Sequence, residues 1–214
     1  MAQGLPRIWI ITDPSHPDGP VVPVRRALEG CPRGMVGVQL RAKSAPDRQL
    51  TQWGRELREV TRSSGAWLLV NRRIDVAQIV DADGMHLPEL GLPIAEIRKH
   101  WPTLAVLGVS RHDSAGLATA EQDSAAFAFL SPVFTVPGKA TPMGVHGFRT
   151  AIAGAGIPTY GLGGIQPADV KAIVNAGAAG IAVRRGIYAA SDPQQALWRY
   201  IDEFDVDNSR QNGE

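Results

Sequence analysis

Thr159-Tyr160-Gly161-Leu162-Gly163-Gly164-Ile165 is followed about twenty residues on by Gly180-Ile181-Ala182-Val183-Arg184-Arg185-Gly186-Ile187. Each is a short apolar run that ends abruptly in glycine or arginine and leads into a segment of helical character. Two such strand ends, side by side in a closed parallel barrel, would aim several backbone N–H groups at one spot. The last two strands of a (β/α)8 barrel commonly hold a phosphate in this way. Glycine there lets a phosphoryl group come close to the backbone. The two runs therefore set two expectations: a (β/α)8 TIM barrel, and a small phosphorylated ligand.

The same alternation runs outward through the chain. Strands are expected near Ile8–Thr12, Met35–Leu40, Trp67–Val70, Gly84–His86, Ala105–Val109, Phe127–Leu130, Pro158–Tyr160 and Gly180–Val183. Helices fill the gaps, near Val22–Glu29, Asp47–Ser64, Arg73–Val80, Pro93–His100, Ala115–Asp123, Phe148–Ala155, Ala168–Ala176 and Pro193–Phe204. Strands alternating with helices imply βα units and a parallel sheet. The 214 residues accommodate one such domain over residues 1–205, with a polar tail at 206–214 expected to be disordered. The rival is an open doubly wound sheet, which leaves two strand edges to cover. Pro167 and Pro193 fall in first helical turns, and Asn175-Ala176-Gly177 reads as a left-handed helix ending. Ser131 to Gly147 is the longest irregular stretch and is expected to be a lid or binding loop.

Composition narrows the function classes. A formal net charge of +1 gives no general attraction to nucleic acid or an anionic membrane. Cys31 is the only cysteine, so neither an intrachain disulfide nor a thiolate metal cluster is available. No apolar run reaches membrane-spanning length, and the start of the chain lacks the pattern of a signal peptide. A cytoplasmic enzyme is the expectation.

Candidate chemistry collects at the strand ends. In Val38-Gln39-Leu40-Arg41-Ala42-Lys43, alternation turns Gln39, Arg41 and Lys43 to one side and Leu40 to the other. Facing a barrel lumen, those groups would grip an anion or a heterocycle; otherwise they form a structural ion-pair lattice. Asn71 ends the third run and serves either a ring edge or a helix cap. Ser110 and His112 lie two apart at the end of the fifth, where imidazole suits proton transfer. His86 reads as an inward structural histidine, and Lys139 as a lid lysine able to close over a phosphate. Arg184 and Arg185 either add bidentate contacts beside Gly163 and Gly164 or point outward as solvated charges. No His, Cys, Asp and Glu grouping has metal-ligand spacing, and neither a dinucleotide fingerprint nor a Walker motif occurs.

Several stretches come in a recognisable order: Ile10-Ile11-Thr12-Asp13, Val38 to Lys43, Val70-Asn71-Arg72-Arg73-Ile74-Asp75, Ala82-Asp83-Gly84-Met85-His86-Leu87 and Leu107-Gly108-Val109-Ser110. They continue with Ser131-Pro132-Val133-Phe134, Met143-Gly144-Val145, Gly161-Leu162-Gly163-Gly164-Ile165 and Ala176 to Val183. Together they resemble the thiamin phosphate synthase and TenI superfamily. The resemblance implies a (β/α)8 barrel, with Gly163, Gly164 and the Arg184–Arg185 turn holding a thiazole phosphate. It matches Gln39, Arg41, Lys43 and Asn71 to groups around a pyrimidine or its diphosphate, Ser110 to a diphosphate-side serine, and Lys139 to a loop lysine. A homodimer is compatible with the family.

The departures carry the functional expectation. Synthases of this superfamily hold Mg²⁺ on two aspartates, at positions occupied here by Arg72 and by Gly91 of Pro88-Glu89-Leu90-Gly91. TenI-type proteins lack those aspartates, carry Leu-Pro after the fourth strand (here Leu87-Pro88), and have a histidine where His112 stands. The resemblance therefore leads to a TenI-like tautomerase that needs no cofactor, with His112 moving a proton on a thiazole phosphate. The alternatives are a divergent synthase, to which Mg²⁺ would belong or in which Arg72 replaces it, and a non-catalytic thiazole phosphate binder.

Overall fold

Residues 4–205 are described by the structure, a computed structural model; the tail at 206–214 lies outside the described residues. All eight apolar runs form strands: β1 (Ile8–Ile11), β2 (Val36–Leu40), β3 (Trp67–Asn71), β4 (Gly84–Leu87), β5 (Val106–Arg111), β6 (Phe127–Leu130), β7 (Thr159–Leu162) and β8 (Gly180–Val183). Each is parallel to the next, and β8 pairs back onto β1 through Ile8 opposite Ile181, so the sheet is a closed barrel in sequence order. Closure leaves no strand edge, which rules out the open-sheet rival. The helices between are α1 (Val21–Ala27), α2 (Asp47–Ser64), α3 (Ile74–Ile79), α4 (Ile94–His100), α5 (Ser114–Gln122), α6 (Gly144–Ile152), α7 (Val170–Asn175), α8 (Arg185–Tyr188) and α9 (Pro193–Asp205).

Strand alternation sorts the apolar residues into two cores. Ile8, Ile10, Val38, Leu40, Leu68, Val70 and their equivalents face outward and pack under the helices. Trp9, Ile11, Leu69, Phe127, Phe129, Tyr160 and Ala182 face inward and fill the lumen. Inward-facing glycines make room for the large rings. A Cβ on Gly37 would lie 2.2 Å from the Trp9 ring, and one on Gly108 would lie 2.2 Å from the Phe127 ring. Trp9 stacks on Phe127 with centroids 5.2 Å apart, and the Tyr160 hydroxyl donates to the Pro6 carbonyl at 2.7 Å. The lower lumen is thus a packed plug rather than a channel.

Helix ends follow local chemistry. Gly65, at φ +68°, closes α2 in the left-handed region, and the Asp113 carboxylate caps α5 by accepting from the Gly116 N–H at 2.7 Å. Arg58 of α2 donates to both oxygens of Asp83, at 2.8 and 3.2 Å, and Asp83 also accepts from the Leu68 N–H. Helix and barrel base are thereby fastened together. Two elements differ from the sequence expectation. Helix α6 begins at Gly144, four residues before the expected Phe148, so the irregular loop after β6 is shorter than Ser131–Gly147. The one-turn helix α8 was not expected at all. Gly144 and Gly147 read as loop residues, and packing outweighed their low helix propensity.

Candidate active site

Above the aromatic plug, the inward positions turn polar. Gln39 follows Ile11 and precedes Leu69 around the same inner layer. It is buried and donates from Nε2 to the Asn71 Oδ1 at 3.2 Å. Asn71 is therefore a lumen residue and caps no helix. The two amides form a pair at the floor of the mouth with donors and acceptors still available for a ring edge.

His86 stands beside Asn71 on β4, fully buried and stacked on Phe129 at 4.4 Å. Burial, reinforced by the charges of Arg41 and Arg111, pushes its pKa down to about 3. Its Nε2 lies 2.9 Å from the Ser110 Oγ, while Nδ1 has no partner. Ser110 is therefore engaged with His86 and not with His112, its sequence neighbour two positions on. The His112 Nδ1 lies 2.6 Å from the Ser131 carbonyl oxygen. A carbonyl only accepts, so Nδ1 carries the proton and Nε2 is left facing Glu89, whose Oε2 is 3.9 Å away.

The rim is cationic. Arg41, two residues above Gln39, is partly buried between β1 and β3; its backbone is pinned to Thr12, whose Oγ accepts from the Arg41 N–H at 2.8 Å. Burial and the like charge of Arg184 lower its pKa. Lys43 is exposed, and its pKa is lowered by the charge of Arg41 first, then by slight burial, then by the charges of Lys139 and Arg72. Lys139, from the β6–α6 loop, and Arg72, just after β3, thus stand near enough to Lys43 for their charges to act on it, as does Arg41 just after β2. Among the described residues none of these four side chains makes an ion pair. Arg184 lies beside them with Nε 3.8 Å from Asp13 Oδ2. Although partial burial acts to raise it, the Asp13 pKa is lowered by hydrogen bonds from the Ser15 hydroxyl and N–H and by the charge of Arg184.

The two turns at the end of β7 and β8 have separate causes for their glycines. Gly163 and Gly164 have φ of +102° and +69°. A Cβ on Gly164 would lie 2.8 Å from Phe134 Cβ and 2.9 Å from the Thr135 carbonyl oxygen. The β6–α6 loop packs onto this turn, with the Phe134 N–H donating to the Gly163 carbonyl at 2.9 Å. Glycine is thus required by the protein's own packing as well as by any approaching phosphate. At β8, the side chain of Arg185 is exposed, while the N–H groups of Arg185 and Gly186 open α8 and have no intrahelical acceptor.

Asp13, Glu89 and the buried Arg111 were missed as contributors. Arg111 faces outward and ties Ser110 to the start of α5 by donating to the Ser110 and Gly116 carbonyls at 2.8 and 3.0 Å. Asp13 ends the first apolar run, so the strand-end rule applied to the other runs would have found it. Glu89 belongs to the departing Pro88–Gly91 stretch and carried no signal of its own.

The residues present do not fit the Mg²⁺ that the synthase resemblance implies. Arg72 is itself a cation. Gly91 has no donor, and its turn has little room for one: an added Cβ would lie 2.9 Å from the Pro88 carbonyl oxygen and 3.3 Å from Leu87 Cβ. Among the described residues no group of three His, Cys, Asp or Glu is placed to hold a metal ion.

A closed (β/α)8 barrel with a cationic mouth and glycine turns after its last two strands defines the class of the protein: a (β/α)8 barrel with its charge gathered at the carboxyl ends of the strands. The family model described as thiamine monophosphate synthase matches residues 8–187, and the chain belongs to that family. It is 37% identical over 179 residues to the thiamine-phosphate synthase of Moorella thermoacetica, covering 82% of this chain and 84% of that one. It is 36% identical over 191 residues to the thiamine-phosphate synthase of Chloroflexus aurantiacus, covering 87% of each. The solved structure of the thiamine phosphate pyrophosphorylase from Pyrococcus furiosus superposes with a TM-score of 0.85 at 32% identity, covering 94% of this chain and 96% of that one.

These relatives overturn the tautomerase expectation. It rested on two missing aspartates and one histidine, whereas likeness along most of the chain is to proteins named as synthases. Among the described residues no helix is long and apolar enough to cross a membrane.

Proposed function

We propose that this protein is a thiamine-phosphate synthase, joining hydroxymethylpyrimidine diphosphate to a thiazole phosphate. The observation that carries this reading is its likeness at 36–37% identity, over most of the chain, to relatives named for that activity. In the reaction the thiazole ring nitrogen forms a bond to the pyrimidine methylene carbon. The bond from that carbon to the diphosphate oxygen breaks, and its electron pair leaves with pyrophosphate. No oxidant or reductant is required, and no proton has to be taken from carbon.

The mouth suits two phosphorylated substrates. The Gln39–Asn71 amide pair lies where a pyrimidine edge would be read, and Arg41, Lys43 and Lys139 stand around the place of its diphosphate. The turns at Gly163–Gly164 and Arg184–Arg185 suit the thiazole phosphate, through N–H groups and the Arg184 side chain. The aromatic plug closes the lumen below and keeps bulk water from reaching a developing pyrimidine cation from that side. Ser110, whose Oγ is held by His86, would meet the diphosphate side of the substrate, as the family resemblance implies. His112 lies at the rim with a bare Nε2, and in this reaction it binds or orients rather than shuttling a proton.

Incubation with both substrates, followed by chromatography for thiamin phosphate and an assay for released pyrophosphate, tests the reading. Equimolar formation of the two products is expected. Tight binding of both substrates without product, with Mg²⁺ or with EDTA, would sink it in favour of a silent binder.

A further inference from the structure

The mismatch between the residues present and a bound metal points to a different way of holding the same anion. We propose that this barrel binds its diphosphate without a metal ion, with the Arg72 guanidinium, supported by Lys43 and Lys139, standing where family members place Mg²⁺. As a step in catalysis this rests on the synthase reading above; as an anion site it does not.

Three observations carry it. First, Arg72 is one of only three non-glycine residues with positive φ among those described, at +67°. Its backbone is pinned there, its N–H donating to the His86 carbonyl at 3.0 Å and the Arg73 N–H donating to the Asn71 carbonyl at 2.9 Å. A residue that holds a disfavoured conformation at a barrel mouth, with its neighbours enforcing it, is a functional candidate. Second, the adjacent arginines have opposite fates. Arg73 donates to the carboxylates of Asp47 and Asp75 and is consumed by them. Arg72 has no carboxylate partner among the described residues and shares the rim with Lys43, whose amine also feels Arg41 and Lys139. Lys43, Arg72 and Lys139 are exposed and none is paired to a carboxylate among the described residues, so an incoming anion meets their charge without displacing a partner. Third, the Leu87–Gly91 turn closes through the Gly91 N–H and the Pro88 carbonyl at 2.9 Å, which leaves little room for a side chain at 91, and the carboxylate of Glu89 in the same turn faces His112.

The charge balance agrees. Two carboxylates and one divalent cation bring no net charge to the mouth, whereas Arg72 with Gly91 brings one positive charge and no metal. A guanidinium also presents paired donors in a fixed plane that match phosphate oxygens, and it stays protonated throughout. In phosphoryl-transfer enzymes, arginines that meet the negative charge on phosphate oxygens in the transition state are worth roughly 10³–10⁵ in rate. Here the guanidinium receives the electron pair's charge as the carbon–oxygen bond breaks, and pyrophosphate leaves as the arginine-bound anion.

Titration calorimetry with inorganic pyrophosphate at fixed ionic strength, in EDTA and then in Mg²⁺, tests the site apart from turnover. Pyrophosphate is expected to bind in EDTA, and Arg72→Gln to weaken binding at least about tenfold, with Arg72→Lys between the two. Arg73→Gln, removing the neighbouring engaged guanidinium, should leave the affinity within about twofold. Thermal melts confirm that each variant is folded. Binding that appears only with Mg²⁺, or an Arg72→Gln affinity equal to that of the parent, overturns the proposal. Thiamin phosphate formation in EDTA that falls at least about a hundredfold in Arg72→Gln supports both the site and its catalytic use. Absence of product in every buffer, with Arg72-dependent pyrophosphate binding intact in EDTA, fells the synthase reading and leaves the metal-free anion site standing.

Discussion

The two halves of the lumen are built on opposite terms. In the lower half Trp9, Phe127, Phe129 and Tyr160 fit against one another and against inward glycines. In the upper half the charges of Arg41, Arg72 and Lys139 all act on Lys43, while the carboxylate of Asp13 acts on Arg41 and Arg184. One half is filled by its own rings; the other gathers charge that the proposed substrates would meet. Barrels of this class keep stability at the amino-terminal end of the strands and chemistry at the carboxyl end. Here the division passes through single strands: β2 carries Gly37 beside Trp9 and then Gln39 under the mouth, two residues' rise below Arg41 at the rim.

The sharpest way to break this contrast is to disturb the plug. Trp9→Ala removes the stacked indole and is expected to cost about 3–5 kcal/mol in urea unfolding, while the surviving folded fraction binds pyrophosphate normally. Gly37→Ala, which drives a Cβ to 2.2 Å from the same ring, should destabilise by about 3 kcal/mol. Equal stability in both variants would mean that the lower lumen is not the structural half.

Next in size are the rim cations. Lys43→Ala is expected to lower thiamin phosphate formation by about a hundredfold yet move the unfolding midpoint by less than about 0.5 kcal/mol, since the side chain is exposed. A loss of stability matching the loss of rate would erase the distinction between the halves.

His86 sits at the boundary and makes it sensitive to acid. Burial and the charges of Arg41 and Arg111 hold its pKa at about 3, well below the ordinary 6.5. As pH falls the unfolded chain takes up this proton first. The stability owed to neutral His86 is therefore complete above about pH 6.5 and is lost toward pH 3, at up to about 1.4 kcal/mol per unit. Urea midpoints from pH 7.5 to 4.5 should fall more steeply in the parent than in His86→Phe, and parallel slopes would show that His86 titrates normally. Smallest of all is Arg73→Gln, whose exposed ion pairs with Asp47 and Asp75 should be worth no more than about 1 kcal/mol by the same measurement.

Much of the fold was legible because the signals were local. Phe127–Leu130, Gly180–Val183 and Asp47–Ser64 have the expected bounds, each being a clean apolar run or a long amphipathic stretch. Helix α6 was shortened in the sequence reading because Gly144 and Gly147 hide a turn that Phe148 and the outer core hold in place. Strand ends likewise revealed Gln39, Arg41, Lys43 and Asn71 as mouth residues. What stayed hidden was pairing across the barrel: Ser110 meets His86 from the neighbouring strand, and His112 meets Ser131 from the next loop. The function was misjudged for a different reason. Two missing aspartates and His112 were weighed above the likeness spread along the whole chain, and Arg72 as a replacement for Mg²⁺ was kept only within the alternative.

The loop that carries Lys139 is fastened at both roots, by the Phe134 N–H on the Gly163 carbonyl and by the Met143 and Gly144 N–H groups on the Pro132 and Val133 carbonyls. Only residues 135–142 are left to move, a doubled-back leash of eight residues that can extend about 14 Å from its moorings. One mooring is the very turn that would cradle the thiazole phosphate. A ligand settling on Gly163 would therefore bear on the mooring of the loop that carries Lys139, and the two proposed anion sites would share that one hydrogen bond.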